Sequence, residues 1–224
     1  MQRTHWACLL LSVCLSLPGL AAAETTYRAE YNAQNGQALI TLEDILPAIK
    51  TAGEEGWTRV DAEGFRTLRT TEPDRPDLPC LEYWISVPAG SQFLELMVKA
   101  DRSESTLPGR IKPVRKPYIP EPGVVPPPLA ADASVYQSAE EYPAAWSEQE
   151  FFRAGSTTIL RLKVFLYKYI GTEKKLVSYR NPKLQVRLAA PGWQPAPEPK
   201  NAVDRELRRK LVNPDEAFFR QPLR

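Results

Sequence analysis

Histidine is nearly absent from this chain, which has one among 224 residues, and cysteine occurs only three times. The histidine, His5, and two of the cysteines, Cys8 and Cys14, lie in the first 23 residues. Without them, neither Ser-His-Asp nor Cys-His catalysis is available, because both need an imidazole as general base. A zinc site would need several cysteine or histidine ligands, and Cys80 alone cannot form an internal disulfide. The composition therefore favours a protein that is not an enzyme and binds no metal.

Long hydrophobic runs are also lacking after the first 23 residues. There, Arg3 precedes an apolar stretch from Cys8 to Leu17, Pro18-Gly19 interrupts it, and small residues lead up to Ala23. This layout predicts a secretory signal peptide, residues 1–23, that is cleaved after Ala23. A membrane-anchoring helix is the alternative, but the apolar stretch is short for one. We expect the mature chain to be secreted to the periplasm, the cell surface or the extracellular space.

Phosphate-binding motifs and strong charge are missing as well. The sequence has no Gly-Lys-Ser/Thr loop and no Gly-x-Gly-x-x-Gly, so it predicts no nucleotide and no other cofactor. The formal net charge of +2 falls to +1 when Arg3 leaves with the signal peptide, which gives no reason to propose nucleic acid or membrane as a partner. Cys80 has no basic neighbour in sequence and is interpreted as a small buried hydrophobe.

Alternating apolar residues indicate an all-β fold that is mainly antiparallel. Leu81 to Val87 has the period of a strand, Pro88-Ala-Gly90 ends it, and Phe93 to Val98 follows as a return strand after a tight turn. The strongest strand pattern runs from 157 to 169, and 184–188 closes the sheet. The 201 residues left after cleavage are enough for one large β domain or two small lobes, and we expect the β domain to span residues 24–190.

Two proline-rich segments interrupt this pattern. The first lies within 103–131 and carries Arg115 and Lys116; it must run extended, either as a plain linker or as a segment laid against a partner, because proline supplies no ladder donor. The second opens residues 191–224, where a short helix at 202–211 precedes an arginine-rich tail.

The order of these features resembles the N-terminal propeptide of the gingipain-type cysteine peptidases, family C25. The resemblance spans about residues 27 to 190, and its most specific part is a Pro-x-Leu-Pro motif at 76–79 followed by Val-Pro-x-Gly at 87–90. The similar stretches are Glu55-Gly-Trp-Thr-Arg-Val60 with Gly64-Phe65, Pro76-Asp-Leu-Pro-Cys80, Trp84-Ile-Ser-Val-Pro88-Ala-Gly90, the first proline-rich segment, Val135-Tyr136, Tyr142-Pro143, Lys175-Leu-Val-Ser-Tyr179 and Leu184-Gln-Val-Arg-Leu188.

This resemblance implies a β-sandwich-like domain that assists folding of a C25-like cysteine peptidase, blocks its active site and is cut off on activation. It also implies that one basic side chain of the propeptide occupies the specificity pocket of the peptidase. The candidates for this side chain are Arg153, Arg115 and Lys116. Arg220 and Arg224 become candidate maturation cleavage points. The chain carries no catalytic motif of the family, so it is expected to be either the part of a precursor that precedes the peptidase domain or a free-standing propeptide-like protein, with the partner in cis or in trans. Residues 191–224 stand where the family's chain passes into the peptidase, which favours the first alternative.

Two other functions remain open at this stage. A cell-surface β-sandwich module could bind glycan or protein through exposed aromatic side chains, and an enzyme using carboxylates alone is a minor alternative. The aromatic candidates are Trp57, Trp84, Trp146 and Trp193.

Overall fold

The computed structural model describes residues 25–32, 34–54, 56–62, 67–119, 123, 125, 128–154, 157–190 and 202–212. Strands dominate it, and the two helices are short. In chain order, the elements are β1 Thr26–Asn32, β2 Gln37–Glu43, β3 Ile49–Glu54, β4 Trp57–Ala62, β5 Thr67–Arg69, β6 Pro79–Val87, β7 Gln92–Thr106, α1 Ala133–Tyr136, β8 Ser147–Ala154, β9 Thr157–Val164, β10 Tyr167–Ile170, β11 Lys175–Ala189 and α2 Ala202–Lys210.

The first sheet is built around β11, whose whole length pairs with β7. On its other side, β11 pairs with β10 near its start and with β2 near its end, and β1 lies outside β2. Every pairing is antiparallel. The second sheet has the order β5-β6-β9-β8, again antiparallel throughout, and β3 with β4 forms a separate hairpin.

The main core lies between the inner faces of the two sheets. Side chains at every second position point inward, as the strand period requires. One buried cluster contains inner-face residues from both sheets, which makes the domain a sandwich and confirms the expected all-β, mainly antiparallel fold. The inner rows are Ala38, Ile40 and Leu42 on β2; Leu81, Tyr83, Ile85 and Val87 on β6; Leu160, Leu162 and Val164 on β9; and Leu184, Val186 and Leu188 on β11.

Two strand predictions need correction. The return strand after Leu81–Val87 exists as β7, but it pairs with β11 in the first sheet and forms no hairpin with β6. The turn at Pro88–Ser91, closed by the Ser91 N–H donating to the Pro88 carbonyl at 3.1 Å, therefore carries the chain from one sheet to the other. The long run at 157–169 divides at Phe165-Leu166 into β9 of the second sheet and β10 of the first.

The end of the described chain returns to the second sheet. α2 confirms the predicted short helix, and Leu211 directly after it forms a parallel bridge with Trp84 of β6. The Val212 N–H donates to the Trp84 carbonyl at 2.8 Å, and the Val212 side chain is buried in the main core. The edge of β6 that β5 leaves open is thus occupied by residues 211 and 212.

Among the described residues, no helix is both long and apolar enough to span a membrane.

Candidate functional site

The proline-rich segment begins as an extended strand fixed to the body of the domain. The Thr58 N–H donates to the Arg110 carbonyl at 2.7 Å, and the Lys112 N–H donates to the Thr58 carbonyl at 2.9 Å. The Asp77 N–H donates to the Lys112 carbonyl at 2.9 Å. Residues 110–114 therefore lie between β4 and the turn before β6, where Ile111 is fully buried.

Both ends of the segment 115–131 are held at one place, and we call this segment the pinned loop. At its start, the Asp74 N–H donates to the Val114 carbonyl at 2.9 Å and the Val114 N–H donates to the Arg75 carbonyl at 2.8 Å. At its end, the Asp132 N–H donates to the Asp74 carbonyl at 2.8 Å. The described residues on either side of this segment, Val114 and Asp132, are thus held at one place by Asp74 and Arg75.

Asp74 makes this base possible through its backbone and its side chain. Its φ of 66° is left-handed, a conformation that aspartate and asparagine adopt more readily than most residues. Its carboxylate lies 2.7 Å from Nζ of Lys116, inside the pinned loop. Arg75 adds ion pairs to Glu72 at 2.5 Å and to Asp132 at 3.5 Å. Hydrogen bonds from Ser134 lower the pKa of the Asp132 carboxyl, and Arg75 contributes in the same direction.

The pinned loop presents cations and apolar groups together on the surface. Arg115 is exposed, and Lys116 is exposed despite its contact with Asp74. Tyr118, Ile119 and Val125 have 40%, 77% and 83% of their surface in solvent. The described part of the loop therefore offers both charge attraction and apolar area to a partner.

The third candidate cation, Arg153, lies elsewhere in the molecule. It is exposed near the end of β8, the edge strand of the second sheet, and its register partner is Thr158, which pairs with Val87 at the end of β6. The base of the pinned loop precedes the other end of β6, where Leu81 is the first residue that pairs with β9. Six residues along a strand correspond to about 20 Å, so Arg153 does not share a site with Arg115 and Lys116. Ala23, Arg220 and Arg224 lie outside the described residues.

A cleft of about 400 Å³ lies beside the loop base. Arg75 contributes to its wall, and its guanidinium carbon is 5.7 Å from the ring centroid of Tyr142, whose pKa burial raises to about 12. Lys163 and Glu148, 3.3 Å apart, line the same cleft. In the described part of the chain, no group of three or more His, Cys, Asp or Glu side chains is placed to hold a metal ion.

The described tryptophans that a surface-binding module would use are packed against other rings. Trp57 meets Tyr136 edge-on at 6.1 Å, Trp84 meets Phe152 at 5.4 Å, and Trp146 meets Tyr179 at 4.6 Å between ring centroids. None of these three forms an open aromatic platform, and Trp193 lies outside the described residues.

Sequence reasoning named Arg115 and Lys116 but missed Asp74, Arg75 and Asp132. The run Pro73-Asp-Arg-Pro76 signals a turn, and this was the one available clue. The left-handed backbone of Asp74 and its hydrogen bonds to residues 40 and 58 positions away leave no trace in local sequence.

Together, the two sheets define an antiparallel β-sandwich domain, and the described part of the pinned loop adds exposed cations to its surface. A comparison with protein-family profiles gives no match, and a comparison with curated protein sequences gives none. Among solved structures, the chain has the fold of gingipain zymogen and pro-domain structures, which confirms the resemblance at the level of the fold.

Two such structures, both from Porphyromonas gingivalis, match over nearly their whole length. One is a structure of gingipain K that concerns its zymogenic latency, with a TM-score of 0.53 and 18% identity over 75% of this chain and 95% of that chain. The other is the complex of the RgpB pro- and mature domains, with a TM-score of 0.57 and 12% identity over 85% of this chain and 96% of that chain.

Proposed function

We propose that this chain is the non-catalytic propeptide of a secreted, C25-like cysteine peptidase, serving as its folding chaperone and as an active-site inhibitor that is removed on activation. The observation that carries this proposal is the shared fold, which extends over 95% and 96% of two gingipain chains, one of them from a complex of pro- and mature domains. Because nearly the whole length of both gingipain chains is matched, the shared fold supports an equivalent domain better than a match to part of those chains would.

The pinned loop is the part of this domain that suits an inhibitor. Its two ends are fixed by hydrogen bonds, so less conformational freedom is lost when it enters a cleft. Its basic side chains, Arg115 and Lys116, fit a specificity pocket that holds a carboxylate, and a guanidinium can bind such a carboxylate with two parallel hydrogen bonds. Tyr118 and Ile119, which follow directly, add apolar area.

Arg153 is the competing contact and makes a different prediction. It would require the edge of β8 to face the peptidase, about 20 Å from the pinned loop. Substitution of one basic residue at a time therefore distinguishes two separate surfaces of the domain.

In the chaperone role, the folded propeptide domain would offer its surface to the peptidase while the peptidase folds. Two buried clusters give it a core of its own, so it can fold without the peptidase and then present that surface to it. Cleavage after Arg220 or Arg224, beyond the described chain, would then separate the two proteins.

Inhibition is the direct test. The purified mature chain, residues 24–224, is titrated against an Arg- or Lys-specific gingipain-type peptidase from the same source. We expect inhibition below about 1 µM, weakened about tenfold or more in Arg115→Ala or Lys116→Ala, which corresponds to a loss of about 1.4 kcal/mol.

Arg153→Ala is the matched control, because it removes an exposed cation from a different surface of the same domain. Weakening by Arg153→Ala alone would move the contact to β8. Absence of binding at a hundred times that concentration would contradict the propeptide assignment.

The folding role needs a separate measurement. We expect the yield of active peptidase after dilution from denaturant to rise when the chain is added in equimolar amount. An unchanged yield, in a preparation that does inhibit, would leave the inhibitor role and remove the chaperone role.

A further inference from the structure

We propose that the open edge of β7 is a dimerisation surface, on which residues 95–99 pair antiparallel with the same residues of a second copy of this chain. The two-fold axis passes through Met97, so that Glu95 of each copy lies opposite Lys99 of the other. The surface contains no residue of the pinned loop or of its base, so it does not depend on the proposed peptidase partner.

β7 is a long strand that is paired on one side. Of the strands that the structure describes, only β11 pairs with it, and the pairing runs from Gln92 to Thr106. In an antiparallel ladder, every second residue of an edge strand turns its N–H and carbonyl away from the neighbouring strand. These groups are a template for a further strand, and proteins often protect them with charge, proline or a covering segment. Between residues 95 and 99, no main-chain hydrogen bond reaches β7 from a described residue outside β11.

The open edge is mostly apolar near its start. Phe93 to Val98 contains one charged residue, Glu95, and Leu94 has 46% of its surface exposed. The register shifts here, because Phe93 and Glu95 pair with adjacent residues of β11 and Leu94 is left between them. Such a bulge disrupts the regular ladder and bends the strand. The segment that can accept a further strand therefore begins at Glu95.

The two faces of the segment 95–99 differ in character. Leu96 and Val98 pack against the main core and remain partly exposed. Glu95, Met97 and Lys99 alternate with them and therefore point to the outer face of the first sheet. A strand added with matching faces would bury more of Leu96 and Val98 on one side and meet the two charges on the other.

Lys99 has no anion beside it in its own chain. It is exposed, and its register partner on β11 is a second cation, Lys183, which is bound to Glu43 at 2.7 Å. Within the described residues, Lys99 makes no ion pair. Like charges directly opposite each other in a sheet are destabilising. This end of the segment therefore favours a partner that brings a carboxylate.

A two-fold axis at Met97 supplies that carboxylate. Met97 then lies opposite Met97, Leu96 opposite Val98 and Glu95 opposite Lys99, with both members of each pair on one face of the joined sheet. Glu95 is 3.2 Å from Arg187 in its own chain, so in the dimer it would lie between two cations. The Glu95–Lys99 contact occurs twice, once on each side of the axis.

Neighbouring registers do not have this complementarity. A shift by one residue would place outer-face side chains opposite inner-face ones, which the alternation of a strand does not allow. A shift by two residues places Glu95 opposite Met97 in one direction and opposite Asp101 in the other. Of these registers, the axis at Met97 alone joins unlike charges, so the sequence of the segment also sets the register.

The dimer would join the first sheets of two copies into one continuous sheet. β7 continues from Lys99 to Thr106 before the chain reaches the base of the pinned loop, so the loops of both copies lie outside the contact. A dimer would thus present two pinned loops.

Sedimentation velocity of the purified mature chain, residues 24–224, tests the proposal. We expect a monomer–dimer equilibrium between about 1 and 100 µM, as suits a small interface. Lys99→Glu and Glu95→Lys should each weaken the dimer about tenfold, because each places like charges opposite one another twice. The double variant restores unlike pairs and should dimerise within about threefold of the wild type. Arg28→Glu, which reverses an exposed cation on β1 at the opposite edge of the same sheet, is the matched control and should leave the dimer unchanged.

Disulfide trapping tests the register. Met97→Cys should form a covalent dimer on oxidation, because the two introduced thiols lie opposite each other with their Cβ atoms about 5 Å apart. Glu95→Cys is the control: its two thiols would be four residues apart along the joined strands, about 13 Å, and should not pair. Urea denaturation establishes beforehand that each variant is folded.

Several results would overturn the proposal. These are a chain that stays monomeric at about 100 µM, an equal loss in Arg28→Glu, a double variant that does not recover, or trapping at position 95 in place of 97. A chain that is monomeric alone but inhibits its peptidase less well as Lys99→Glu would also overturn it and assign this edge to the peptidase. If the chain inhibits no peptidase but dimerises as described, the proposed function fails and the dimerisation surface stands.

Discussion

At the scale of single residues, Asp74 is the centre of the loop base. It combines a left-handed backbone, two main-chain hydrogen bonds and an ion pair to Lys116. These contributions can be separated by substitution, because asparagine also tolerates the left-handed region and alanine does not.

We expect Asp74→Ala to lower the free energy of unfolding by about 1–2 kcal/mol, since alanine is strained at this φ. Asp74→Asn should cost less than about 1 kcal/mol, because it removes only a half-exposed ion pair. Urea denaturation of the two variants measures the difference. Equal losses would mean that the backbone conformation contributes nothing.

Lys168 is a buried cation, with 2% of its surface exposed. Its ammonium lies 4.0 Å from the ring centroid of Trp146 and 3.8 Å from a Glu141 carboxylate oxygen, and it donates to the Ala144 carbonyl at 3.3 Å. Burial lowers the pKa of Lys168, and Glu141 opposes the shift. The charged form is therefore less stable in the folded domain than in the unfolded chain.

This shift predicts how stability depends on pH. The unfolded chain binds more protons than the folded one between the lowered pKa and 10.5, so stability rises with pH across that interval and is lost again as the pH falls through the lowered value. Lys168→Met keeps the volume and removes the titration. The free energy of unfolding of the wild type minus that of Lys168→Met should therefore increase as the pH rises from the lowered pKa towards 10.5. A difference that does not change with pH would contradict this prediction.

At the scale of elements, the edge of β6 is closed by two short segments. β5 covers the start of the strand, and Leu211-Val212 covers its middle from the far end of the described chain. Val212 has 5% of its surface exposed, so its two methyl groups belong to the core.

Val212→Ala should therefore lower the free energy of unfolding by about 1–2 kcal/mol through lost apolar burial. Arg205→Ala on the exposed face of α2 is the control and should change it by less than about 0.5 kcal/mol. Thermal unfolding of both variants checks this. Similar small effects would show that residues after α2 do not pack on the sheet in solution.

Sequence patterns predicted the elements better than their pairing. The alternation in Leu81–Val87 and in 157–169 reports burial of one face, and that signal is the same in either sheet. It could not show that β7 crosses to β11 or that the chain changes sheet at Phe165-Leu166, because pairing depends on which strand edges are free in three dimensions. In the site, prolines and charge identified Arg115 and Lys116, whereas Asp74 acts through partners distant in sequence.

At the scale of the whole molecule, Cys80 reports on the integrity of the fold. It is fully buried, and burial raises the pKa of its thiol to about 12. The thiolate that reacts with labelling reagents is therefore almost absent from the folded domain at pH 8.

We expect the mature chain to resist a thiol reagent at pH 8 and to become labelled at the rate of global unfolding in increasing urea. The labelling midpoint should coincide with that of tryptophan fluorescence. Fast labelling without denaturant would indicate local opening around β5 and β6.

Because β11 is the central strand of the first sheet and lies late in the sequence, this sheet forms late during synthesis. Glu43 of β2 must wait for Lys183, 140 positions later, before the first sheet can close. At synthesis rates of about 5–20 residues per second, that wait is about 7–28 s. Until β11 is made, β2 pairs only with β1, and β7 has no partner strand once it is made, so their apolar rows must be kept from aggregating until residues 175–189 exist.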